Sequence, residues 1–179
     1  MKKIIIFLSF LVFFAFPAMA APIYGYSVNA SGTYSGTLNS VLGAHDDNFI
    51  QIDNGTVVTV KFQNGFAALA NGLSSADLRV HTYDAPAPVN GRIEISANGV
   101  DFVNLGIFSD ANTNNVIDFD LDALGFSYVT AVRITDISGT SDGFDLDAIE
   151  GFNGGTIPVP EPATWMLCAI LFFFLKLRK

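Results

Sequence analysis

The sequence predicts an all-β fold, a jelly-roll-like β-sandwich between one hydrophobic segment at each end of the chain. Short runs rich in β-branched and aromatic residues recur through the middle of the chain, and Gly, Asn and Asp separate them. Several runs alternate between apolar and polar residues. Alternation with a period of two indicates strands with one buried face, and frequent turns are typical of sandwiches. A length of 179 residues allows one modest domain.

The predicted strands follow one another closely along the chain. They are IYGYSV (23–28), NFIQI (48–52), TVVTVKF (56–62), LRVHTY (78–83), GRIEIS (91–96), DFVNLGIF (101–108), VIDFDL (116–121), YVTAVRIT (128–135) and FDLDAIE (144–150). Within them, two sets of alternating apolar residues are each predicted to share a buried face. The sets are Val58, Val60 and Phe62, and Ile93 and Ile95.

The segments between the strands carry turn signals. Asn98-Gly99 predicts a hairpin between GRIEIS and DFVNLG, and Asn54-Gly55 predicts a second turn. NGLSSADL (71–78) predicts a single helical turn. The stretch from Gly154-Gly155 to Pro162 predicts a linker, so that the folded domain covers residues 21–155 and the linker proper 156–162.

The N-terminus predicts a secretory signal peptide over residues 1–20. Lys2 and Lys3 precede the apolar run IIIFLSFLVFFAF (4–16), and the small-residue site Ala18-Met19-Ala20 follows, which places cleavage before Ala21. The alternatives are a membrane anchor and a buried core helix. A run of this length is short for a membrane span, which favours the signal peptide.

The C-terminus, residues 163–179, predicts a short transmembrane helix with a basic tail. No charge occurs from Ala163 to Leu175, and the chain then closes with Lys176, Arg178 and Lys179. The uncharged part would be roughly 20 Å long as a helix, less than the ~30 Å hydrocarbon core, so it would span only with local thinning of the bilayer. The basic tail favours the cytoplasmic side. The alternative is a core helix of the domain.

The order of these C-terminal parts resembles a PEP-CTERM sorting signal, and the resemblance covers about the last 21 residues. The motif precedes the apolar helix and the basic end, and consists of Val159, Pro160, Glu161 and Pro162. Its prolines would keep the segment extended and accessible outside the membrane. The resemblance implies an exosortase-type sorting enzyme as partner, transient anchoring in the inner membrane, and a final place at the cell surface or in the extracellular matrix of a Gram-negative bacterium that makes extracellular polysaccharide.

The predicted exported body, residues 21–158, is strongly acidic and contains no cysteine. Residues 21–158 hold sixteen acidic and four basic residues, a net charge of −12. This excludes nucleic acid as a partner, because nucleic-acid binding needs a cationic surface. Cys168 is the only cysteine and lies in the C-terminal apolar segment, so the body has no disulfide. A hydrophobic core, alone or with a metal ion, must stabilise it.

The body also resembles galactose-binding-like jelly-roll domains of secreted bacterial proteins. The similarity spans most of residues 48–152 and follows the order GTVVTVKF, ADLRVHTYDA, GRIEISANGVDFVNLG, YVTAVRITDIS and DGFDLDAIEGF. It implies a strand that ends in a D-L-x-V-type sequence, here Asp77-Leu78-Arg79-Val80, and that precedes the S-x-N-G-x-x-F hairpin. It also implies a late DLDAIE strand that closes the sandwich near the N-terminal strand. The family contains many carbohydrate-binding modules and many domains without a known ligand, so fold alone does not give the function.

Enzymatic chemistry finds little support in the sequence. Gly139-Thr140-Ser141-Asp142-Gly143 matches the nucleophile elbow G-x-S-x-G, but a predicted strand follows where the elbow needs a helix. His45 and His81 both lie upstream of the serine, the reverse of the hydrolase order, and are predicted on a surface loop and a strand face. Glu94 and Glu150 are the body's only glutamates, and a small sandwich implies no deep catalytic cleft.

The aspartates suggest calcium more than catalysis. Calcium takes six to eight oxygen ligands, and the candidates near the last strand are Asp136, Asp142, Asp145 and Asp147. The galactose-binding-like resemblance implies a structural calcium where a late-strand aspartate meets an early strand or loop. A second acidic stretch, residues 110–118, departs from the EF-hand pattern at its sixth and twelfth positions and predicts a turn-rich loop. The alternative for all of them is solvated aspartate at strand edges.

Two functions remain open at the level of sequence. The first is a non-enzymatic structural protein of the cell surface or biofilm matrix. The second is a carbohydrate-binding module for exopolysaccharide, whose binding would depend on calcium if the acidic cluster holds an ion. Exposed aromatic residues would form its sugar site. The candidates are Tyr24, Tyr26, Tyr34, Tyr83 and Phe152.

Overall fold

A computed structural model describes residues 21–83, 88–110 and 115–157 of the chain. The predicted signal peptide, the sorting motif from Val159 to Pro162, and the predicted C-terminal helix with its basic tail lie outside the described residues. Within the described ranges, no helix has the length and apolar character that crossing a membrane requires.

The described chain is all-β, as predicted. Its strands are β1 Ile23–Tyr24, β2 Ser27–Ser31, β3 Tyr34–Ser35, β4 Ile50–Ile52, β5 Val57–Lys61, β6 Phe66–Leu69, β7 Leu78–Thr82, β8 Asn90–Ser96, β9 Val103–Ser109, β10 Val116–Phe119, β11 Tyr128–Val129, β12 Ala131–Asp136, β13 Phe144–Gly151 and β14 Gly154–Thr156. A short 3-10 helix at Leu38–Val41 precedes β4.

The strands form three antiparallel sheets. The first has the order β10-β7-β13-β4-β3, with β1 also paired to β13, and the second has the order β2-β5-β12-β8-β9. The third is small and has the order β11-β6-β14. The pairing of β1 with β13 confirms that the late DLDAIE strand lies beside the N-terminal strand. The strand implied to end in the D-L-x-V sequence instead begins there, since β7 starts at Leu78 and continues to Thr82.

One hydrophobic core forms from the inward-facing residues of the sheets. Val58, Val60 and Phe62 are buried together, and so are Ile93 and Ile95, which confirms both predicted faces. Phe144 packs among them from β13, so closely beside β8 that a Cβ on Gly91 would lie 2.7 Å from its ring. The alternating strands therefore bury their apolar faces as the sequence predicts.

The two predicted turns are confirmed. Gly99 has a φ of 72° between β8 and β9, and the side chain of Asn98 accepts hydrogen bonds from the backbone amides of Val100 and Asp101. Gly55 has a φ of 78°, and the amide of Thr56 donates to the carbonyl of Asp53 across the turn. Glycine adopts positive φ without steric cost, which explains its place at both turns.

Two local predictions are wrong. Residues 71–77 form bends without a helix, and Leu78 already belongs to β7. The Asn71 side chain accepts from the amide of Leu73 and donates to the hydroxyl of Ser75, and so competes with helical bonds. The linker does not begin at Gly154-Gly155, since these residues form β14 against β6. A Cβ on Gly154 would lie 2.0 Å from Ile23 Cγ2. These glycines therefore allow close packing and are not a flexible hinge.

Candidate functional site

An open cleft of about 510 Å³ lies at one end of the sandwich. It is formed where β2 begins, where β5 and β8 end, and where β11 and β12 begin. Its lining combines aromatic rings with amide, hydroxyl and ammonium groups. The lining residues are Tyr26, Ser27, Lys61, Phe62, Gln63, Asn64, Gly65, Phe66, Ala97, Asn98, Gly99, Tyr128, Thr130 and Ile157.

Backbone hydrogen bonds hold the walls of the cleft in place. The amide of Tyr26 donates to the carbonyl of Lys61 at 2.8 Å, and the amide of Phe62 donates to the carbonyl of Thr130 at 3.0 Å. Gly65 has a φ of 85°, and the amide of Phe66 donates to the carbonyl of Gln63 at 2.9 Å, so a tight turn presents the Phe66 ring. The site is thus built on strand ends and one fixed turn.

The charge of the cleft differs from that of the rest of the body. None of its described lining residues is acidic, although the body has a net charge of −12. Lys61 makes no ion pair within the described ranges, whereas Arg79 pairs with Asp118 and both Arg92 and Arg133 pair with Glu94. The cleft therefore offers one unneutralised ammonium group among aromatic and amide side chains.

The structure places only some of the five aromatic residues predicted for a sugar site in or beside the cleft. Tyr26 is 64% exposed and lies in the cleft, and Tyr24 borders it in a smaller adjoining pocket. The ring of Tyr83 stacks on Phe49, and Phe152 packs under the guanidinium of Arg79. Tyr34 lies on the edge strand β3 and does not line the cleft.

Sequence reasoning missed two aromatic residues of the cleft. These are Phe66, which is 38% exposed, and Tyr128, which is half-buried on β11. Asn64-Gly65 before Phe66 is a turn signal of the type recognised elsewhere in the chain, and it could have pointed to an aromatic residue presented by a turn. No pattern in the sequence predicts that Tyr128 lies in the same cleft.

Two stacked histidines form a separate polar network beside β7 and β13. The rings of His45 and His81 lie 4.9 Å apart. His45 Nδ1 is 2.9 Å from Asp147 Oδ2, and His81 Nε2 is 2.9 Å from Glu150 Oε2. The hydrogen bond to Asp147 raises the pKa of His45, with burial acting in the opposite direction. The predicted positions of the histidines, on an exposed loop and on a strand, are confirmed.

The predicted calcium ligands are not brought together as one group. Asp147 is the extra residue of a bulge in β13, and its carboxylate contacts His45 and the amide of Asp47. Asp136 accepts from the amide of Ser138 at 2.7 Å. Burial raises the pKa of Asp145 to about 7, and the negative charges of Asp110 and Asp142 add to the rise. Alternation along β13 predicts only a shared face, whereas the bulge and the adjacent loops decide which neighbours each carboxylate meets.

Two groups of side chains among the described residues have the spacing that a metal ion needs. They are His45, Asp47 and Asp147, and Asp77, Asp120 and Asp122. In the second group, Asp77 is fully buried and accepts from the amide of Leu121 and from the side chain of Asn153. Burial raises its pKa, and these hydrogen bonds oppose the rise. Acidic groups that could bind a metal are therefore present. The hydrogen bonds of the Asp77 carboxylate already connect three segments of the chain.

The G-x-S-x-G stretch does not form a nucleophile elbow. Residues 140–142 form a bend between β12 and β13, and a strand follows, as the sequence predicts. The hydroxyl of Thr140 donates to the carbonyl of Asp142 within this bend. Neither histidine is bonded to Ser141, since each has a carboxylate partner of its own.

Fold and site together define the class of the described domain, an antiparallel β-sandwich with an aromatic-lined cleft at one end. No protein-family model matches the sequence, and no curated protein matches it. Among solved structures, the chain is similar to a family 89 glycoside hydrolase from Clostridium perfringens in complex with PUGNAc, with 15% identity, a TM-score of 0.46 and coverage of 78% of this chain. The chain spans only 16% of that hydrolase.

A second similar structure is a pectin-binding carbohydrate-binding module. The identity is 10% and the TM-score 0.40, over 78% of this chain and 94% of the module. Similarities at this level carry no argument about function, which must come from the residues of the cleft.

Proposed function

We propose that this chain is an exported, non-enzymatic surface protein whose β-sandwich binds polysaccharide in the cleft lined by Tyr26, Phe66 and Tyr128. The observation that carries the proposal is the combination of rings, amides and one free ammonium group in an open cleft of about 510 Å³. Aromatic faces pack against the apolar faces of sugar rings, while amide and hydroxyl groups exchange hydrogen bonds with sugar hydroxyls. An open cleft admits a chain and not only a terminal sugar.

The charge of the cleft favours a polysaccharide that carries carboxylate groups. The body as a whole repels polyanions, but the described lining contains Lys61 and no acidic residue. Lys61 Nζ lies over Gly99, because a Cβ placed there would be 3.7 Å from it. An ammonium group in the lining of an aromatic cleft is a suitable partner for a uronic-acid carboxylate.

The test is binding of the full chain, purified in detergent, to polysaccharide extracted from the producing cells and to the same polysaccharide after chemical reduction of its carboxyl groups. We expect saturable binding to the native polymer and weaker binding to the reduced one. Tyr26→Ala should lower affinity at least tenfold, which corresponds to about 1.4 kcal/mol. Lys61→Met should lower it about two- to fivefold and reduce its dependence on salt.

The matched control for the aromatic change is Tyr34→Ala, which removes another exposed tyrosine, on an edge strand outside the cleft. Its affinity should equal that of the unchanged chain. Absence of saturable binding to either polymer would contradict polysaccharide binding and leave the structural role. Equal losses for both tyrosine variants would contradict the placement of the site in the cleft.

Export and sorting form the second part of the proposal and rest on the sequence. The signal peptide would direct the chain through the inner membrane, and an exosortase-type enzyme would act near Val159, Pro160, Glu161 and Pro162. The apolar helix would hold the chain in the membrane until then, with the tail of Lys176, Arg178 and Lys179 on the cytoplasmic side. The domain would finally lie at the cell surface or in the matrix, where polysaccharide is its accessible partner.

Processing predicts a specific mass for the mature protein. We expect the intact mass of the protein recovered from the cell surface or medium to lack residues 1–20 and residues 163–179. Replacing Pro160 and Pro162 by Ala should retain the chain in the membrane fraction with its C-terminal helix. A surface form whose mass includes residues 163–179 would contradict the sorting proposal without touching the proposal on binding.

A further inference from the structure

We propose that Asn64 in the cleft is a site of spontaneous deamidation, in which the backbone amide of Gly65 attacks the Asn64 side chain and an acidic residue results. Its consequence rests on the proposed function, because the new carboxylate would weaken the binding of a carboxylated polysaccharide. The modification itself needs only the turn that the structure describes. The modification and its consequence therefore have separate readouts.

The sequence contains six Asn-Gly pairs, and all of them lie within the described residues. Glycine has no Cβ, so it leaves the approach of the preceding side chain to its backbone nitrogen open. The pairs are Asn54-Gly55, Asn64-Gly65, Asn71-Gly72, Asn90-Gly91, Asn98-Gly99 and Asn153-Gly154. The sequence alone does not distinguish Asn64 from the other five asparagines.

Deamidation of an Asn-Gly pair needs a backbone amide that can attack and a carboxamide that can approach it. The glycine nitrogen forms a bond to Cγ of the asparagine, the bond from Cγ to Nδ2 breaks, and ammonia leaves with the proton of the backbone amide. Water then adds to one of the two carbonyls of the cyclic imide and opens it to aspartate or isoaspartate. The net change replaces ammonia by water and involves no oxidant. A hydrogen bond to either reacting group must break first.

Both reacting groups of Asn64-Gly65 are free among the described residues. The two residues are exposed, the Asn64 side chain makes no hydrogen bond there, and the Gly65 amide donates to no acceptor there. The space beside Gly65 is open, because a Cβ built on it would meet no atom within 4 Å. The amide of Phe66 donates to the carbonyl of Gln63 across this turn, which keeps the pair at the surface of the cleft.

In the other five pairs, the glycine amide is held. Four of these amides donate to an acceptor elsewhere in the chain. They are the amides of Gly55 to the carbonyl of Asp136, Gly72 to the carboxylate of Asp122, Gly99 to the hydroxyl of Ser96, and Gly154 to the carbonyl of Ala21. The fifth glycine, Gly91, lies inside β8 and pairs with both β9 and β12. Each of these amides must leave a bond or a sheet before it can attack.

Asn98 gives the sharpest contrast because it lines the same cleft. Its side-chain oxygen accepts from the amides of Val100 and Asp101, and its side-chain nitrogen donates to Asp101 Oδ2 at 2.8 Å. The amide of Gly99 donates to Ser96 Oγ at 2.9 Å. Asn98 and Asn64 therefore share the same dipeptide and the same cleft, and they differ in the hydrogen bonds that restrain the reacting groups.

Conversion of Asn64 would change the charge of the cleft. Asn64 lines the cleft together with Lys61, and none of the described lining residues is acidic. A carboxylate at position 64 would offset the ammonium group that we propose to bind uronic acid, and it would repel the carboxylates of the polymer. Isoaspartate would also add a carbon atom to the backbone of the turn that presents the Phe66 ring. Deamidation would thus release the domain from an acidic polysaccharide as the protein ages.

The first test follows the modification. The full chain, purified in detergent, is incubated at mildly alkaline and at mildly acidic pH, and its peptides are analysed by mass spectrometry for conversion at each Asn-Gly pair. We expect Asn64 to convert at least about tenfold faster than Asn98, whose hydrogen bonds must break first. Conversion should be faster at alkaline pH, because the attacking nitrogen must lose its proton. Conversion of any other Asn-Gly pair at the same rate or faster would overturn the proposal.

The second test follows the consequence through Asn64→Asp, which carries the aspartate product from the start. Its affinity for the native polysaccharide should be about three- to tenfold lower than that of the unchanged chain at low salt, and the difference should shrink as salt is added. The matched control is Asn54→Asp, which makes the same charge change on an exposed residue outside the cleft and should leave affinity unchanged. Equal affinities of Asn64→Asp and the unchanged chain would overturn the consequence.

Incubation joins the two tests. The affinity of the unchanged chain should fall as Asn64 converts, whereas Asn64→Gln should keep its own starting affinity, because its longer side chain closes a ring far more slowly. An equal decline in both proteins would overturn the assignment to Asn64. If the unchanged chain binds no polysaccharide at all, the proposed function fails, and the conversion rates still test the modification.

Discussion

Asp145→Asn is expected to stabilise the protein at neutral and alkaline pH. The pKa of Asp145 is raised to about 7, so between about pH 4 and pH 7 the folded state keeps a proton that the unfolded state has lost. The stability due to this proton is complete below the unfolded pKa and is lost as pH rises through the folded one. The variant should therefore be more stable than the unchanged chain at pH 8 by about 2 to 4 kcal/mol.

Denaturant unfolding in chelator at several pH values measures this effect. For the unchanged chain the free energy of unfolding should fall by about 1 kcal/mol per pH unit between pH 5 and pH 7, and the variant should lose most of this slope. A smaller slope of the same sign should remain, because the pKa of His45 is also raised, by its bond to Asp147. A variant with the same slope and lower stability at pH 8 would contradict the burial of an unpaired carboxylate.

Asp77→Ala is expected to destabilise the fold strongly. The Asp77 carboxylate is fully buried and accepts from the amide of Leu121 at 3.0 Å and from the side chain of Asn153 at 3.1 Å. Truncation leaves these donors without an acceptor and opens a small cavity. Each unsatisfied buried group costs about 1 to 3 kcal/mol, so we expect a loss of about 2 to 4 kcal/mol.

The matched control for this change is Asp77→Asn. The side-chain amide of this variant would keep one oxygen that can accept, but its NH2 group would face one of the two donors. About half of the stability lost in Asp77→Ala should therefore return. Chemical denaturation of the three proteins measures the differences. If Asp77→Ala unfolds at the same denaturant concentration as the unchanged chain, then the Asp77 carboxylate does not hold Leu121 and Asn153 against the start of β7.

The strands that carry the core could be predicted because their signal is local. Val58, Val60 and Phe62 alternate with polar residues over a single run, and a buried face needs no other information. The strands that were missed, β3, β6 and β14, have two to four residues and pair through small or polar positions. Their identity depends on neighbours supplied by the rest of the fold, as Gly154 against Ile23 shows.

The candidate sites could be predicted only in part because they join distant segments. Tyr26, Phe66 and Tyr128 meet through the pairing of several strands, and no spacing in the sequence indicates that meeting. In the same way, Asp145 is recognisable as an acidic residue on a strand, but its closeness to Asp110 follows from where β9 ends against β13. The residue types of the candidate sites could be predicted from the sequence. Which residues lie next to one another could be known only from the register of the sheets.

The central claim, polysaccharide binding in the cleft, is tested most directly by mapping the amide resonances of isotope-labelled protein during titration with oligosaccharides cut from the extracted polysaccharide. The account predicts saturable shifts confined to the cleft, at Ser27, Gln63 to Phe66, and Asn98 to Gly99, with those near Asp145 unchanged. Shifts clustered elsewhere on the sandwich would contradict the site. A spectrum that does not change at saturating oligosaccharide would contradict the function.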